Sequence, residues 1–373
     1  MKRILFVCGG TAGHINPALS VAATIRKSHP ELELVFAGNP DGMEARLVPQ
    51  AGFAFLPFRA MGIQRKLTPY NLCRNVQSLA LLATAAPRAT KLLRACAPDV
   101  VAGTGGYVSG PVVLQAARMG IKTVTHEQNA FPGVTTKLLA KRVDRLLLAV
   151  DKAAEHLDPS LHYIVTGNPV RPEIVETQRG AARRELGIPE GRFCILSFGG
   201  SLGAQRINEA IAAVMAWHIP TGEIHHIHAT GKYGVELLPR LLTEHGVAWQ
   251  HNPLLDIREY IDNMPVCLAA ADLVICRAGA ITLSELQAAG RASILIPSPN
   301  VAENHQYHNA MVLVNRDAAE ILEEKELTGE RLTQMVKRFR EDPTLASRLG
   351  ANAKAMAMTT ANSQIAEEIL ALL

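Results

Sequence analysis

Read for the alternation of apolar and polar positions, the chain opens with a near-continuous apolar run, Lys2–Cys8, and repeats such runs at Leu32–Ala37, Asp99–Ala102, Lys122–Thr125 and Arg145–Ala149. Between them lie segments with apolar residues at helical spacing, such as Ala18–Lys27 and Val112–Met119. Short runs with no polar face, alternating with amphipathic helices, predict buried parallel strands in an α/β sheet. The pattern restarts at Phe193–Phe198, followed by a helix over Asn208–Trp217 and by strands at Glu223–Ala229, Leu273–Cys276 and Ser293–Pro297. Two doubly wound domains are therefore expected, 1–165 and 166–346, joined near Val165–Asn168 by the turn material Gly167-Asn168-Pro169 and Arg171-Pro172. From Leu327 the chain reads as helical, with Asp342-Pro343 as one break. Its last helix, over 347–373, either caps the second domain or crosses back to the first.

Composition sharpens this picture. With 48% hydrophobic and 19% charged residues over 373 positions, the chain is too apolar for disorder and long enough for two cores. No stretch reaches the roughly 18 apolar residues needed to span a bilayer. Met1-Lys2-Arg3 and the apolar run after it mimic a signal peptide, but that run is too short and leads into a glycine loop. The six cysteines lie far apart with no C-x-x-C pair, which reads as reduced, mostly buried thiols of a cytosolic protein. The net charge of +4 says little, but its distribution says more. Between Glu44 and Asp99 there is no acidic residue, while Arg46, Arg59, Arg65, Lys66, Arg74, Arg88, Lys91 and Arg94 fall there, which points to an anionic partner.

Candidate chemistry sits in the loops that follow strands. Gly9-Gly10-Thr11-Ala12-Gly13-His14 follows the first strand, and Asn16-Pro17 reads as a helix N-cap and first-turn proline. Small residues there let backbone N–H groups approach an anion. The dinucleotide fingerprint G-x-G-x-x-G is absent and Gly38-Asn39-Pro40 closes the second strand without an acid, which argues against NAD. The alternative is a tight turn with no ligand. His14 sits on that loop, and histidine is a residue type suited to general-base work. A second loop, Gly103-Thr104-Gly105-Gly106-Tyr107-Val108-Ser109-Gly110-Pro111, would share the same sheet edge, either holding a phosphate-bearing substrate or only allowing close helix–sheet packing. Thr125-His126-Glu127-Gln128-Asn129 forms a third, polar loop suited to a polyhydroxyl ligand. In the second half, Phe198–Gln205 is another phosphate-loop candidate, and Arg277–Glu285 leads into a helix whose first turn holds Thr282, Ser284 and Glu285. A carboxylate there can accept two ribose hydroxyls or merely complement the helix dipole. Pro297–Asn300 and Asn304-His305-Gln306 add a polar loop. There is no D-x-D pair, and His226 and His228 share a strand face with no third ligand evident, so no metal is expected.

Taken in order, Gly-Gly-Thr-x-Gly-His at the start, Gly103–Pro111, His126–Asn129, Gly167–Arg171, Gly199–Ser201, Arg277–Glu285 and His305-Gln306 resemble the MurG family of N-acetylglucosaminyl transferases, over essentially the whole chain. The resemblance implies the GT-B fold: two Rossmann-like domains facing a cleft, with the last helix returning to the first domain. It implies transfer of N-acetylglucosamine from UDP-N-acetylglucosamine to lipid I, giving lipid II by inversion, with no bound cofactor or metal. By motif, Thr11, Ala12, Gly13 and Asn129 would meet the donor, and Gly103, Thr104, Gly105, Gly106 and Tyr107 the acceptor. Arg171 and Ser201 would meet the diphosphate, and Ile261 would read uracil through its backbone. Ala280, Ile281, Thr282, Leu283, Ser284 and Glu285 would line the nucleotide, with Glu285 on ribose, and Gln306 would touch the donor sugar. Ala12 stands where the family usually has glycine; since alanine tolerates positive φ poorly, the local backbone is expected to differ slightly.

A helix from Thr68-Pro69, with Leu72, Val76, Leu79, Leu82 and Ala83 on one face and Arg65, Lys66 and Arg74 beside it, is either an interfacial helix docking on anionic lipid or a core helix with solvated neighbours. A lipid-linked acceptor favours peripheral attachment at the cytoplasmic face of the bacterial inner membrane. Other cell-wall synthesis proteins are candidate partners, and no nucleic acid is expected. His14 is the favoured base, with Glu127 second, and closure about 165–168 could bring the substrates together. The rivals are a UDP-N-acetylglucosamine 2-epimerase, a diacylglycerol-dependent glycolipid transferase and a non-enzymatic sugar-nucleotide sensor.

Overall fold

The computed structural model describes residues 1–62, 78 and 80–373. Of the helix expected from Thr68-Pro69, residues 68–77 and Leu79, with Arg65, Lys66 and Arg74 beside it, lie outside the described residues, as does Cys73, whereas Leu82 and Ala83 are helical. The chain divides into two compact units, Met1–Val170 with Met358–Leu373, and Arg171–Ala357.

The first unit is a seven-stranded parallel sheet of β1 (Arg3–Val7), β2 (Glu33–Gly38), β3 (Ala54–Pro57), β4 (Val100–Gly103), β5 (Lys122–Glu127), β6 (Arg145–Leu148) and β7 (Ile164–Val165). Its order is β3-β2-β1-β4-β5-β6-β7. In β1, Ile4, Leu5, Phe6 and Val7 are all buried, because both faces are covered. Ile4 and Phe6 pack with Val21 and Ile25 of the helix Ala12–Ser28 and with Ile365 and Ile369 of the last helix, Ala361–Leu370. Leu5 and Val7 pack on the other side with Val112 and Leu93. The period-2 alternation of a strand thus serves two cores at once.

The second unit is a six-stranded parallel sheet of β8 (Phe193–Phe198), β9 (Ile224–Ala229), β10 (Leu255–Arg258), β11 (Leu273–Cys276), β12 (Ala292–Leu295) and β13 (Glu320–Ile321), in the order β10-β9-β8-β11-β12-β13. Ile195, Leu273, Ile275 and Ile294 meet Ile207, Ile211 and Val214 of the helix Gln205–His218 in one core. In both sheets the strand order reverses at one point, β1/β4 and β8/β11, where a crevice opens outside the carboxyl ends of the strands.

Several local expectations are corrected. Thr11, not Asn16, is the N-cap of the first helix, and Pro17 lies inside it. The helix starts directly on the glycine loop because Thr11 O already accepts His14 N (3.0 Å) and Ile15 N (3.2 Å). The loop expected over Gly103–Pro111 is shorter, since Gly106 already begins the helix Gly106–Arg118. β5 runs on to Glu127, so Thr125, His126 and Glu127 belong to the strand and not to a loop, held by pairing with β6. The single helix expected over 347–373 is two, Pro343–Ala355 and Ala361–Leu370. The first buries Leu345 and Leu349 in the second unit's core, and the second buries Ile365 and Ile369 in the first unit's, so one continuous apolar stripe does not exist. Asp342 caps the former helix by accepting Thr344 N at 3.0 Å and Leu345 N at 3.3 Å. The last helix returns to the first unit, where Asn362 Nδ2 donates to Val170 O (2.7 Å) and Ser20 Oγ to Asn362 Oδ1 (2.9 Å).

Candidate functional site

In the first unit the loops after β1, β4 and β5 meet at the sheet's carboxyl edge, since β1 pairs β4 and β4 pairs β5. The two glycine loops are in van der Waals contact. A Cβ on Gly106, whose φ is +81°, would stand 2.1 Å from Gly9 O, so only glycine fits there. The second loop thus packs closely on the first, and the edge they create presents the first-turn N–H groups of two helices. The positive φ of the first loop falls at Gly10 (+88°), whereas Ala12 has no positive φ and starts the helix. Alanine therefore fits at that position without strain. Tyr107 is half-exposed with its ring 3.4 Å from where a Cβ on Gly10 would lie.

His14 is half-buried at the centre of this edge. Thr104 Oγ1 donates to His14 O at 2.7 Å, and the ring lies over Gly105, where a Cβ would come within 2.7 Å of Nδ1. Nδ1 is 3.0 Å from Gln128 Oε1. Gln128 in turn reaches His126, whose Nε2 is 2.9 Å from Gly167 O. Burial pushes the His126 pKa down to about 4, so this imidazole is neutral at physiological pH.

Glu127 is buried and fully engaged. It accepts Asn129 N, Asn129 Nδ2 and Gly133 N, each at 3.0 Å, and the Thr136 hydroxyl. It shapes the turn that presents Asn129. A residue that sequence reading missed does the same for the first loop. Glu44 is completely buried and accepts Asn39 N (2.9 Å) and Gly10 N (3.4 Å). Its only signal in the sequence was its position as the last acid before a long basic stretch.

The second unit has its own edge. The loop after β8 lines a cavity of about 570 Å³ together with Arg277, Ser298, Asn300 and Gln306. Exposed Ser201 and the neighbouring glycines form one wall. Gln306 Oε1 accepts Ser298 N at 2.8 Å, and Arg277 is tied to Glu324 and to Ile296 O and Pro297 O. Ile261 is buried after β10. The helix that follows β11 begins at Ala280, with Gly279 as its N-cap, so Thr282 lies in its first turn while Ser284 and Glu285 fall in the second. The expectation that all three share the first turn is corrected accordingly. Ala280, Ile281, Thr282 and Ser284 are partly exposed, Leu283 is buried, and Ser284 Oγ turns back to Ala280 O.

Glu285 is 9% exposed and pairs with Arg171, whose Nε and Nη2 both bond Oε1, at 3.0 and 2.8 Å. Oε2 is left without a partner among the described residues. Burial raises the Glu285 pKa, and Arg171 works in the opposite sense. The sequence named both residues but could not show that they touch. Arg171 is thus held on a carboxylate, in position to meet an anion with its outer face.

The histidine-rich strand β9 is committed to structure. His226 Nε2 and His228 Nδ1 both bond Ser197 Oγ, at 2.8 and 2.7 Å; His218 Nε2 reaches His226 Nδ1 at 3.0 Å, and His228 Nε2 reaches Asn208 Oδ1 at 3.1 Å. Among the described residues no group of acids, cysteines and histidines is arranged to hold a metal ion. The described cysteines, Cys8, Cys96, Cys194, Cys267 and Cys276, are free and buried.

Comparison with known proteins bears directly on these edges. The glycosyltransferase family 28 N-terminal domain matches residues 4–148 and the glycosyltransferase family 28 C-terminal domain residues 194–368. The chain is 41% identical to the UDP-N-acetylglucosamine--N-acetylmuramyl-(pentapeptide) pyrophosphoryl-undecaprenol N-acetylglucosamine transferase of Acetivibrio thermocellus, over 98% of this chain and 97% of that one. It is 40% identical to the enzyme of the same name from Desulforudis audaxviator, with the same shares of both chains covered. Among solved structures, the crystal structure of Acinetobacter baumannii MurG superposes with a TM-score of 0.74 at 27% identity, over 100% of both chains.

Proposed function

The chain belongs to the MurG family within glycosyltransferase family 28, and from that membership we propose how its residues carry out the family's reaction. The enzyme transfers N-acetylglucosamine from UDP-N-acetylglucosamine to lipid I, the undecaprenyl-pyrophosphoryl N-acetylmuramyl pentapeptide, giving lipid II for peptidoglycan. The acceptor hydroxyl must lose a proton as its oxygen attacks the anomeric carbon, and UDP must leave with the electron pair of the broken bond.

His14 is the base in our reading. The observation that carries this is its placement: anchored through Nδ1 on Gln128, its Nε2 has no partner among the described residues and lies at the carboxyl edge of the sheet. Glu127 is set aside as base, because its oxygens already accept four hydrogen bonds. We assign it to positioning Asn129, which meets the donor with Thr11, Ala12 and Gly13. Gly103, Thr104, Gly105, Gly106 and Tyr107 receive the acceptor. On the second unit, Glu285 Oε2 takes the ribose hydroxyls, Ile261 meets uracil through its backbone, Arg171 neutralises the leaving diphosphate while Ser201 contacts it, and Gln306 meets the sugar. Ala280, Ile281, Thr282, Leu283 and Ser284 line the nucleotide.

Peripheral attachment to the cytoplasmic face of the membrane follows from the same reading. No described helix is long and apolar enough to cross a bilayer. The acid-free stretch also holds exposed Lys91, Arg94 and Leu82, a composition suited to anionic head groups. The deciding experiment uses radiolabelled UDP-N-acetylglucosamine with a lipid-pyrophosphoryl muramyl acceptor. Label should enter the lipid phase with the native chain and do so at least roughly 10²-fold more slowly with His14→Ala, while UDP binding persists. Near-native transfer by His14→Ala removes His14 from the role.

A further inference from the structure

We propose that Gln128 is a positioning residue that fixes which nitrogen of His14 carries the proton, through a one-way chain of hydrogen bonds running from the Gly167 carbonyl. The catalytic consequence rests on His14 being the base; the assignment of the proton does not.

The direction of each bond follows from atoms that can act in only one sense. Gly167 O can only accept, so His126 Nε2, at 2.9 Å, donates. The buried, neutral ring has one proton, so His126 Nδ1 is an acceptor. Gln128 Nε2 stands 3.0 Å from His126 Nδ1 and 3.0 Å from His126 O, two acceptors, so this end of the amide is NH₂ and not oxygen. Rotating the amide by half a turn would set its oxygen against both. Gln128 Oε1 therefore faces His14 Nδ1 at 3.0 Å and accepts from it. Neutral His14 carries its proton on Nδ1, and Nε2 presents a lone pair to the open edge.

Two features keep the ring there. The absence of a side chain at Gly105 makes room for it, and Thr104 holds the His14 carbonyl from below. In the transfer step the acceptor O–H bond breaks and a new N–H bond forms at Nε2. The oxygen lone pair forms the bond to the anomeric carbon, and the old C–O bond leaves with UDP. The imidazolium so formed still donates through Nδ1 to Oε1, so no group need reorganise as the charge develops. A histidine with its proton on Nε2 would present a donor to the acceptor hydroxyl and could not take its proton.

The test reads the tautomers directly in the full-length, ¹⁵N-histidine-labelled protein by NMR near neutral pH, with His14→Ala and His126→Gln used to assign the signals. We expect opposite forms: His14 protonated at Nδ1, His126 at Nε2. A His14 signal of the Nε2–H form in the native protein overturns the proposal. Gln128→Leu should shift His14 toward the Nε2–H form and lower kcat roughly 10-fold or more with the donor KM unchanged. A fall in activity with the His14 tautomer unmoved also overturns it. If the tautomer shifts as expected while His14→Ala retains full turnover, the proton assignment stands and the reading of His14 as base falls.

Discussion

Acidification should loosen the second unit through its buried histidines. His218, His226 and His228 lie within a hydrogen-bonded chain that ends on Asn208, and each has no exposed surface. Burial lowers their pKa values, to about 4 for His218, to about 3 for His228 and well below the ordinary value for His226. A folded-state pKa below the unfolded one means that the unfolded chain binds protons first. The stability these groups contribute is therefore complete above about pH 6.5 and is lost progressively as pH falls below it toward the folded-state values. At pH 5.5 the unfolded state gains roughly 1 kcal/mol or slightly more per imidazole, so the three together cost roughly 4 kcal/mol relative to pH 7.5. His225, shifted downward by burial as well, adds in the same direction. The chain's two tryptophans, Trp217 and Trp249, both lie in this unit, so their fluorescence reports its unfolding alone. With a urea dependence of about 2 kcal/mol per M, the midpoint should fall by about 2 M between pH 7.5 and 5.5. His218→Leu should remove about a third of that change. A midpoint that moves by less than about 0.5 M would show that these imidazoles are not held neutral.

Three further outcomes follow from the geometry. Glu285→Ala should raise the donor KM roughly 10-fold while leaving acceptor KM near its native value, since the carboxylate's outer oxygen is assigned to ribose; an unchanged donor KM in steady-state assays contradicts that assignment. Gly106→Ala places a Cβ against Gly9 O at a positive φ, so thermal unfolding of the first unit should show a loss of about 2 kcal/mol or more, and a variant as stable as the parent would mean the two loops are not in contact. Binding to anionic vesicles in a sedimentation assay should weaken steeply as salt rises, and salt-independent binding, or none, refutes the basic-patch reading.

Much of the architecture was legible from local pattern. Strands such as Phe193–Phe198 and Leu273–Cys276 were read to the residue, because a strand covered on both faces is a near-continuous apolar run that stops at polar or glycine neighbours, here Arg192 and Gly199, Asp272 and Arg277. The short strands β3, β7, β10 and β13 were not read. They are two to four residues long and partly exposed at or near sheet edges, so they exist by pairing with a neighbour rather than by their own pattern. The start of the first helix was misplaced for a related reason: proline at position 17 looks like a first-turn residue until the backbone of Thr11 is seen closing the turn before it.

The order of glycine loops, the parallel α/β class and the candidate residues His14, Glu127, Arg171 and Glu285 were determined by the sequence alone, since loops after buried strands and residue types suited to phosphate and ribose are local properties. Which of them touch one another was decided by tertiary structure. Arg171 meets Glu285 across more than a hundred residues of chain, His14 meets Gln128 across a similar span, and Glu127 spends its oxygens on its own turn. Whether a carboxylate or an imidazole has a free lone pair depends on every neighbour that folding brings within hydrogen-bonding distance, and no linear pattern encodes that distance.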